Sequence, residues 1–100
     1  AKGSARAALL DAAVAGGNCE VRPRSQVIKL HSDAAGQVSA VEYIDEDEQH
    51  HQVRAKLYVV AAQAIETSRL LLNSVGPKHP DGIGNRHRQV GRNLLFSAGG

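Results

Sequence analysis

The sequence predicts an α/β chain with α+β-like character: a helix, a three-stranded antiparallel meander, a buried strand of a parallel sheet, a second helix and a loop. Three observations predict this class. Two stretches have helical composition or spacing, and the short segments between them alternate apolar and polar residues, as half-exposed strands do. One six-residue segment is apolar on both faces, which is typical of a strand covered on both sides.

The N-terminal part predicts a helix followed by a very short strand. Residues Ser4–Ala15 are rich in Ala and Leu, with a serine able to cap the start and two glycines after the end. Cys19–Arg22 predicts a short strand that Pro23 stops, because proline has no N–H for a ladder. The single cysteine cannot form an internal disulfide, and we expect it to be a small buried apolar residue.

Three strands are predicted to form the meander. Ser25–His31 and Val38–Asp45 alternate on either side of a turn at Asp33–Gln37, and a third strand begins at Gln52 after an exposed acidic turn that ends at Glu48. Strict alternation in the first strand would put three residues on one face (Gln26, Ile28, Leu30) and two on the other (Val27, Lys29).

The second half predicts a buried strand, a helix and a loop. The alternation of the third strand continues to Lys56, and Leu57–Ala62 is then apolar throughout. A helix is expected over Ala64–Ser74, and residues 76–92 carry the Gly, Pro, Asn and Asp of a loop. The predicted apolar face of this helix consists of Ala64, Ile65, Ser68, Leu71, Leu72 and Val75.

Composition argues against several functional classes. A net charge of +2 and 3% aromatic residues do not favour nucleic-acid binding. No apolar run approaches the roughly 18 residues that span a bilayer. The chain begins without methionine and ends just after an apolar run. We therefore expect residues 1–100 to be a single partial domain of a longer chain.

The ionisable residues show no spacing of a metal site. His50 and His51 would point to opposite faces of a strand, so they cannot easily share an ion. The cluster at 86–88 (Arg, His, Arg) could meet a phosphate, although a solvated loop is the favoured interpretation. Glu66 and Arg69 are three apart on the second helix and should pair at its surface.

The segment Tyr58–Ser74 carries the strongest functional signal. A buried strand leads through a turn of small residues into a helix whose first amides lack internal partners. Such a junction suits an anionic group, for example a dinucleotide pyrophosphate. Many ordinary strand–helix junctions look alike, so tight packing without a ligand is the alternative.

The order of these pieces resembles the glucose-methanol-choline (GMC) oxidoreductases. The resemblance covers nearly the whole chain, in the order and spacing of that family. It is carried by Ala1-Lys2-Gly3-Ser4, Val21-Arg22-Pro23, Ser25-Gln26-Val27-Ile28, Gly36-Gln37-Val38 to Tyr43-Ile44-Asp45, Ala61-Ala62-Gln63-Ala64-Ile65-Glu66-Thr67, Arg69 to Ser74, Gly82-Ile83-Gly84-Asn85 and Val90-Gly91-Arg92-Asn93-Leu94.

The resemblance implies FAD as cofactor. It implies that Val27 holds the adenine through its backbone N–H and C=O, and that the turn of Ala61, Ala62, Gln63 and Ala64 lies close to the adenosine. Without the resemblance, these residues would be an ordinary strand valine and a tight packing turn. Position 63 is most often Gly in that family, so a required positive φ would make Gln costly and its side chain could crowd the cofactor.

The family's Gly-x-Gly-x-x-Gly fingerprint and its catalytic histidine are not in this sequence, so no catalytic residue is assigned. The resemblance implies a parent enzyme that oxidises CH–OH groups of small alcohols or sugars by passing hydride to FAD. We expect the isolated chain to be inactive and to bind FAD weakly or not at all. The alternative is a non-enzymatic interaction module that self-associates through a sheet edge.

Overall fold

The computed structural model describes residues 3–97 and confirms the α/β class. A π-helical turn, Arg6–Leu10, runs directly into helix α1, Asp11–Ala15. Strands β1 (Gln26–Ser32), β2 (Val38–Ile44) and β3 (His50–Val53) follow, and helix α2 spans Ala64–Asn73. The strands form one antiparallel sheet in the order β1-β2-β3, so the predicted meander is confirmed.

The N-terminal helix is confirmed, but the short strand after it is wrong. Ser4 Oγ accepts a hydrogen bond from the Ala7 amide at 3.1 Å, which caps the first turn. None of the residues of the π-helical turn or of α1 is buried. The predicted strand Cys19–Arg22 has no ladder partner, because no strand of the described chain lies beside it. Cys19 is therefore exposed rather than buried.

An aspartate closes each turn of the meander. Oδ1 of Asp33 accepts hydrogen bonds from the amides two and four residues further on, and Oδ1 of Asp45 does the same. In each turn the residue three positions after the aspartate has a positive φ: 88° at Gly36 and 60° at Glu48. The two turns thus share one geometry, and the second has glutamate where the first has glycine.

A register shift between Val27 and Lys29 corrects the predicted faces of β1. Ile28 is the extra residue of this bulge, because Val27 pairs with Tyr43 and Lys29 with Glu42. The bulge breaks the strict alternation, and Val27 therefore shares a face with Leu30 instead of opposing it.

The expected strand Leu57–Ala62 is not a strand in this structure. β3 already ends at Val53, and the Ala55 amide donates to the Tyr58 hydroxyl at 2.8 Å instead of to a ladder. No strand of the described residues pairs with the segment beyond, so the parallel partner that was expected is not present there. Leu57 and Val59 are 78% and 81% exposed.

Helix α2 packs against β1 through a different face from the one predicted. Leu70 is its buried apolar residue, whereas Ile65 and Val75 are about half exposed. Leu70 joins Leu30 and Ala40 as the buried apolar residues of the described chain, so the core is small. It lies where α2 crosses the sheet.

Ser74, just beyond α2, is fully buried and ties the helix to the strand. Its Oγ donates to the Leu70 carbonyl at 2.6 Å and accepts from the Leu30 amide at 2.9 Å. The predicted loop over 76–92 is confirmed apart from an isolated bridge between Gly76 and His79. No helix within residues 3–97 has the length and apolar character to cross a bilayer.

Candidate functional site

The turn that enters α2 has a strained backbone at Gln63. Its φ of 78° and ψ of 157° lie in a region that is essentially restricted to glycine, at a cost of about 1–3 kcal/mol. Position 63 thus has a positive φ, the condition under which glutamine was expected to be costly there. The side chain offsets part of this cost by capping the helix, because Oε1 accepts from the amides of Ile65 (2.9 Å) and Glu66 (3.4 Å).

The packing alternative at this helix N-terminus has support in the structure, because the Gln63 side chain already occupies two of the first amides. Besides the two amides bound by Gln63 Oε1, the Thr67 amide donates to the Gln63 carbonyl at 2.8 Å. The Thr67 hydroxyl in turn accepts from the Ala62 amide at 3.0 Å. Glu66 also places a carboxylate in the first turn, 2.8 Å from Arg69 as predicted. A pyrophosphate would therefore have to displace the Gln63 cap and would meet the Glu66 carboxylate.

A cavity of about 460 Å³ lies between the sheet and the extended segment Leu57–Ala62. Leu30 of β1, Val41 of β2 and Leu70 of α2 contribute to its walls. The lining contains no charged side chain, and apart from Tyr58 it is purely aliphatic. Such a cavity suits a planar apolar ring rather than an ion.

Three of the five residues singled out from the sequence line this cavity: Val27, Ala61 and Ala62. Ala64 instead lines a separate cavity of about 440 Å³ between α2 and the segment Gly91–Leu95. Gln63 lies between the two and lines neither. Leu30, Val41 and Leu70 were missed as lining residues. Strict alternation put Val27 and Leu30 on opposite faces, and the bulge in β1 brings them to the same face.

The backbone of Val27 is available at the free edge of β1. Leu30, opposite Val41, donates its N–H away from β2 to Ser74. Antiparallel pairs alternate between hydrogen-bonded and non-hydrogen-bonded, and Tyr43, two residues along β2 from Val41, opposes Val27. Val27 thus belongs to the same type of pair as Leu30. Its N–H and C=O point away from β2 and meet no partner outside the strands in the described chain.

An ionisable cluster lies on the other face of the sheet. Glu42 follows Val41, so its side chain points away from the cavity. Its two oxygens lie 2.6 Å from His50 Nδ1 and 2.6 Å from His31 Nε2, and these hydrogen bonds hold the pKa of Glu42 below its usual value. His51 stacks on Tyr43, consistent with the predicted separation of His50 and His51.

A second histidine–carboxylate pair lies at the turn between β2 and β3. His51 Nε2 lies 2.7 Å from Asp45 Oδ2, and that contact, followed by the Gln49 amide, lowers the pKa of Asp45. Despite these clusters, residues 3–97 contain no group of three or more His, Cys, Asp and Glu arranged to hold a metal ion.

Comparison with known proteins identifies the family. A family model described as GMC oxidoreductase matches residues 1–97. The chain is 42% identical to 6'''-hydroxyparomomycin C oxidase of Streptomyces lividus over 96% of its length, and 38% identical to the fructose dehydrogenase large subunit of Gluconobacter japonicus over 80%. It is 37% identical to 2-methyl-1,2-propanediol dehydrogenase of Mycolicibacterium austroafricanum over 76%.

The matched part is a minor share of each relative. The chain spans 18%, 15% and 14% of the lengths of these three proteins. The names of all three describe oxidases or dehydrogenases. The resemblance drawn from the order of motifs is confirmed, and the chain belongs to the GMC oxidoreductase family.

Proposed function

We propose that this chain contributes the adenosine side of an FAD site to a longer oxidoreductase that acts on CH–OH groups of alcohols or sugars. Membership of the GMC oxidoreductase family supports the reaction class. Two of the similar proteins are named after a sugar and a diol, which supports the substrate class. FAD would supply the hydride acceptor; the residues of this chain bind and orient it.

The observation that carries the proposal is the cavity next to the free edge of β1. Its apolar walls, including Ala61 and Ala62, match the faces of an adenine ring. The outward N–H and C=O of Val27 provide one donor and one acceptor for the polar edge of such a ring. An apolar slot bordered by a single donor–acceptor pair recognises a nucleobase better than it recognises an anion.

The turn residues have distinct roles in this proposal. Ala61 and Ala62 are small, so the ligand can approach the backbone closely. Gln63 and Ala64 border the adenosine where the chain bends into α2. The capped amides of the helix argue that the pyrophosphate of FAD lies elsewhere.

The test uses the full-length protein and a matched pair of substitutions. Ala62→Leu adds three carbon atoms at a residue that lines the cavity, and Ala13→Leu makes the same change on the exposed face of α1. Flavin content after purification and the FAD dissociation constant would be measured by absorbance and fluorescence titration. We expect Ala62→Leu to weaken FAD binding roughly 5- to 150-fold, since overpacking costs about 1–3 kcal/mol, and Ala13→Leu to have no effect. Equal affinity of the two variants, or a protein without flavin, would refute the proposal.

A second candidate function is self-association through the unpaired segment. Leu57 and Val59 are largely exposed, and the segment lacks a strand neighbour among residues 3–97. In that case Leu57→Ser with Val59→Ser would abolish dimers in sedimentation analysis, and the full-length protein would carry no flavin. Stoichiometric flavin in the full-length protein would decide against this candidate.

A further inference from the structure

We propose that the groove between α2 and residues 91–95 is an internal interface, which receives an apolar segment from the part of the same polypeptide that lies outside residues 1–100. The occupant is continuous with this chain, so it is neither a cofactor nor a second protein. This inference goes beyond the proposed FAD site, because the groove is separate from the cavity next to β1.

The groove is formed by a face of α2 that the core does not use. Leu70 is buried toward β1, whereas Ile65 and Leu72 line the groove and are 57% and 39% exposed. Both residues belong to the apolar face that the sequence predicts for this helix. A helix normally buries its apolar face against another element. Residues 3–97 supply no helix or strand for this face, because β1 is the element that packs on α2 there.

The shape of the groove is set by a close approach of the backbone to the helix. Gly91 has a φ of 80°, which favours glycine, and a Cβ at this position would lie 3.3 Å from Leu72 Cδ1. Leu94 and Leu95 then extend the apolar wall and are 52% and 88% exposed. The space of about 440 Å³ between these walls is therefore a surface suited to apolar side chains.

The charges at the groove favour a protein segment over an anionic ligand. Arg69 lies in the wall but is already paired with Glu66 at 2.8 Å. Arg92 forms no salt bridge within residues 3–97, so it is the cation of the lining that is left to meet a charge. One carboxylate on the incoming segment would match Arg92, whereas a ligand rich in phosphate would meet mainly apolar side chains.

The lengths of the similar proteins provide the source of the segment. The chain spans 18%, 15% and 14% of three of them, so most of the length of a protein of that size lies outside residues 1–100. A segment of the same polypeptide covers the groove without the loss of translational and rotational freedom that a separate partner suffers on binding. For the same apolar surface, the intramolecular occupant is therefore favoured.

Thiol labelling of the full-length protein tests this assignment. Leu95→Cys and Ser68→Cys place a thiol on each wall of the groove, and Asp47→Cys is the control at the exposed turn between β2 and β3. Each variant would be labelled with N-ethylmaleimide in the folded state and in urea, and the modified peptide would be quantified by mass spectrometry. The folded samples would be measured with bound flavin, after flavin removal and at several protein concentrations.

We expect both groove thiols to react at least roughly tenfold more slowly in the folded protein than in urea, because their reaction requires local opening. Asp47→Cys should react at similar rates in both conditions. Rapid labelling at either groove position, or equal protection of the control, would overturn the inference. Protection that disappears on flavin removal or on dilution would also overturn it, because the groove would then be covered by the cofactor or by a second copy. Failure of the protein to bind FAD would refute the proposed function and leave this result unaffected.

Discussion

The contact between Gly76 and the end of β1 predicts the outcome of two substitutions and their combination. A Cβ built on Gly76 would overlap the Ser32 Oγ, yet it would lie an ordinary 3.6 Å from the Ser32 Cβ. Gly76 does not have a positive φ, so alanine meets no conformational obstacle there. The obstacle to Gly76→Ala is therefore one oxygen atom.

The Ser32 Oγ is also buried without a hydrogen-bond partner. Gly76→Ala should destabilise the fold by about 1–3 kcal/mol, the cost of overpacking. The cost should be about 1 kcal/mol if the Ser32 side chain rotates to relieve the overlap. Ser32→Ala should be neutral or stabilising by up to about 1 kcal/mol, because it removes a desolvated hydroxyl. In the Ser32→Ala background Gly76→Ala should cost nearly nothing, which gives a coupling energy of about 1–3 kcal/mol.

Urea denaturation of the chain and its three variants, followed by far-ultraviolet circular dichroism, would measure the four free energies of unfolding. A shift of 1 kcal/mol corresponds to about 4–8 °C in thermal midpoint for a chain of this size, so the effect is also visible on heating. If Gly76→Ala is equally destabilising with serine or alanine at position 32, the steric explanation is refuted.

Three further predictions concern the hairpin turns, the helix–strand tie and the acidic clusters. Glu48→Gly should raise the free energy of unfolding by about 0.5–1 kcal/mol, because Glu48 has a φ of 60°; unchanged urea midpoints would contradict this. Ser74→Ala should cost about 1–3 kcal/mol by leaving the buried Leu30 amide unpaired, whereas Ser74→Cys should cost less in the same assay. The pKa values of Glu42 and Asp45 are lowered in the fold, so both stabilise it above their unfolded pKa values of about 4 and lose this contribution as pH falls through the folded values. Unfolding midpoints between pH 6 and pH 2.5 should depend less on pH in a Glu42→Gln, Asp45→Asn variant, and parallel curves would disprove the assignment.

The meander could be predicted because its signals are local. Alternation, two aspartate turns and short connections define β1 and β2 within a residue or two. The bulge at Ile28 could not be predicted, because it depends on how β1 and β2 pair rather than on either sequence. The buried face of α2 was predicted wrongly for the same reason: it depends on how α2 packs on β1, which places Leu70 over the strand.

The segment Leu57–Ala62 shows what an apolar pattern can and cannot establish. Its composition is that of a strand covered on both faces, but a strand also needs hydrogen-bonded neighbours, and residues 3–97 supply none. Cys19 was misjudged for a related reason: its polarity suits burial, but no element packs over it.

Part of the candidate site could be predicted from the sequence. The proximity of Val27 to Ala61 and Ala62 followed from the family resemblance, since periodicity alone says nothing about contacts across thirty residues. The glycine preference at position 63 indicated only that Gln63 would be costly if its φ were positive, and the structure meets that condition. The cap formed by its side chain was not anticipated, because glutamine reaches these amides only from that unusual backbone conformation.

The fully buried hydroxyl of Ser74 sets a spacing as well as contributing stability. β1 and α2 both contribute walls to the space in which a nucleobase would lie, and the Ser74 side chain links them by two hydrogen bonds. Loss of the Ser74 hydroxyl would allow β1 and α2 to move apart without changing any atom that contacts the ligand. Cofactor loss in a variant at this remote serine would therefore report on the width of the slot rather than on its chemistry.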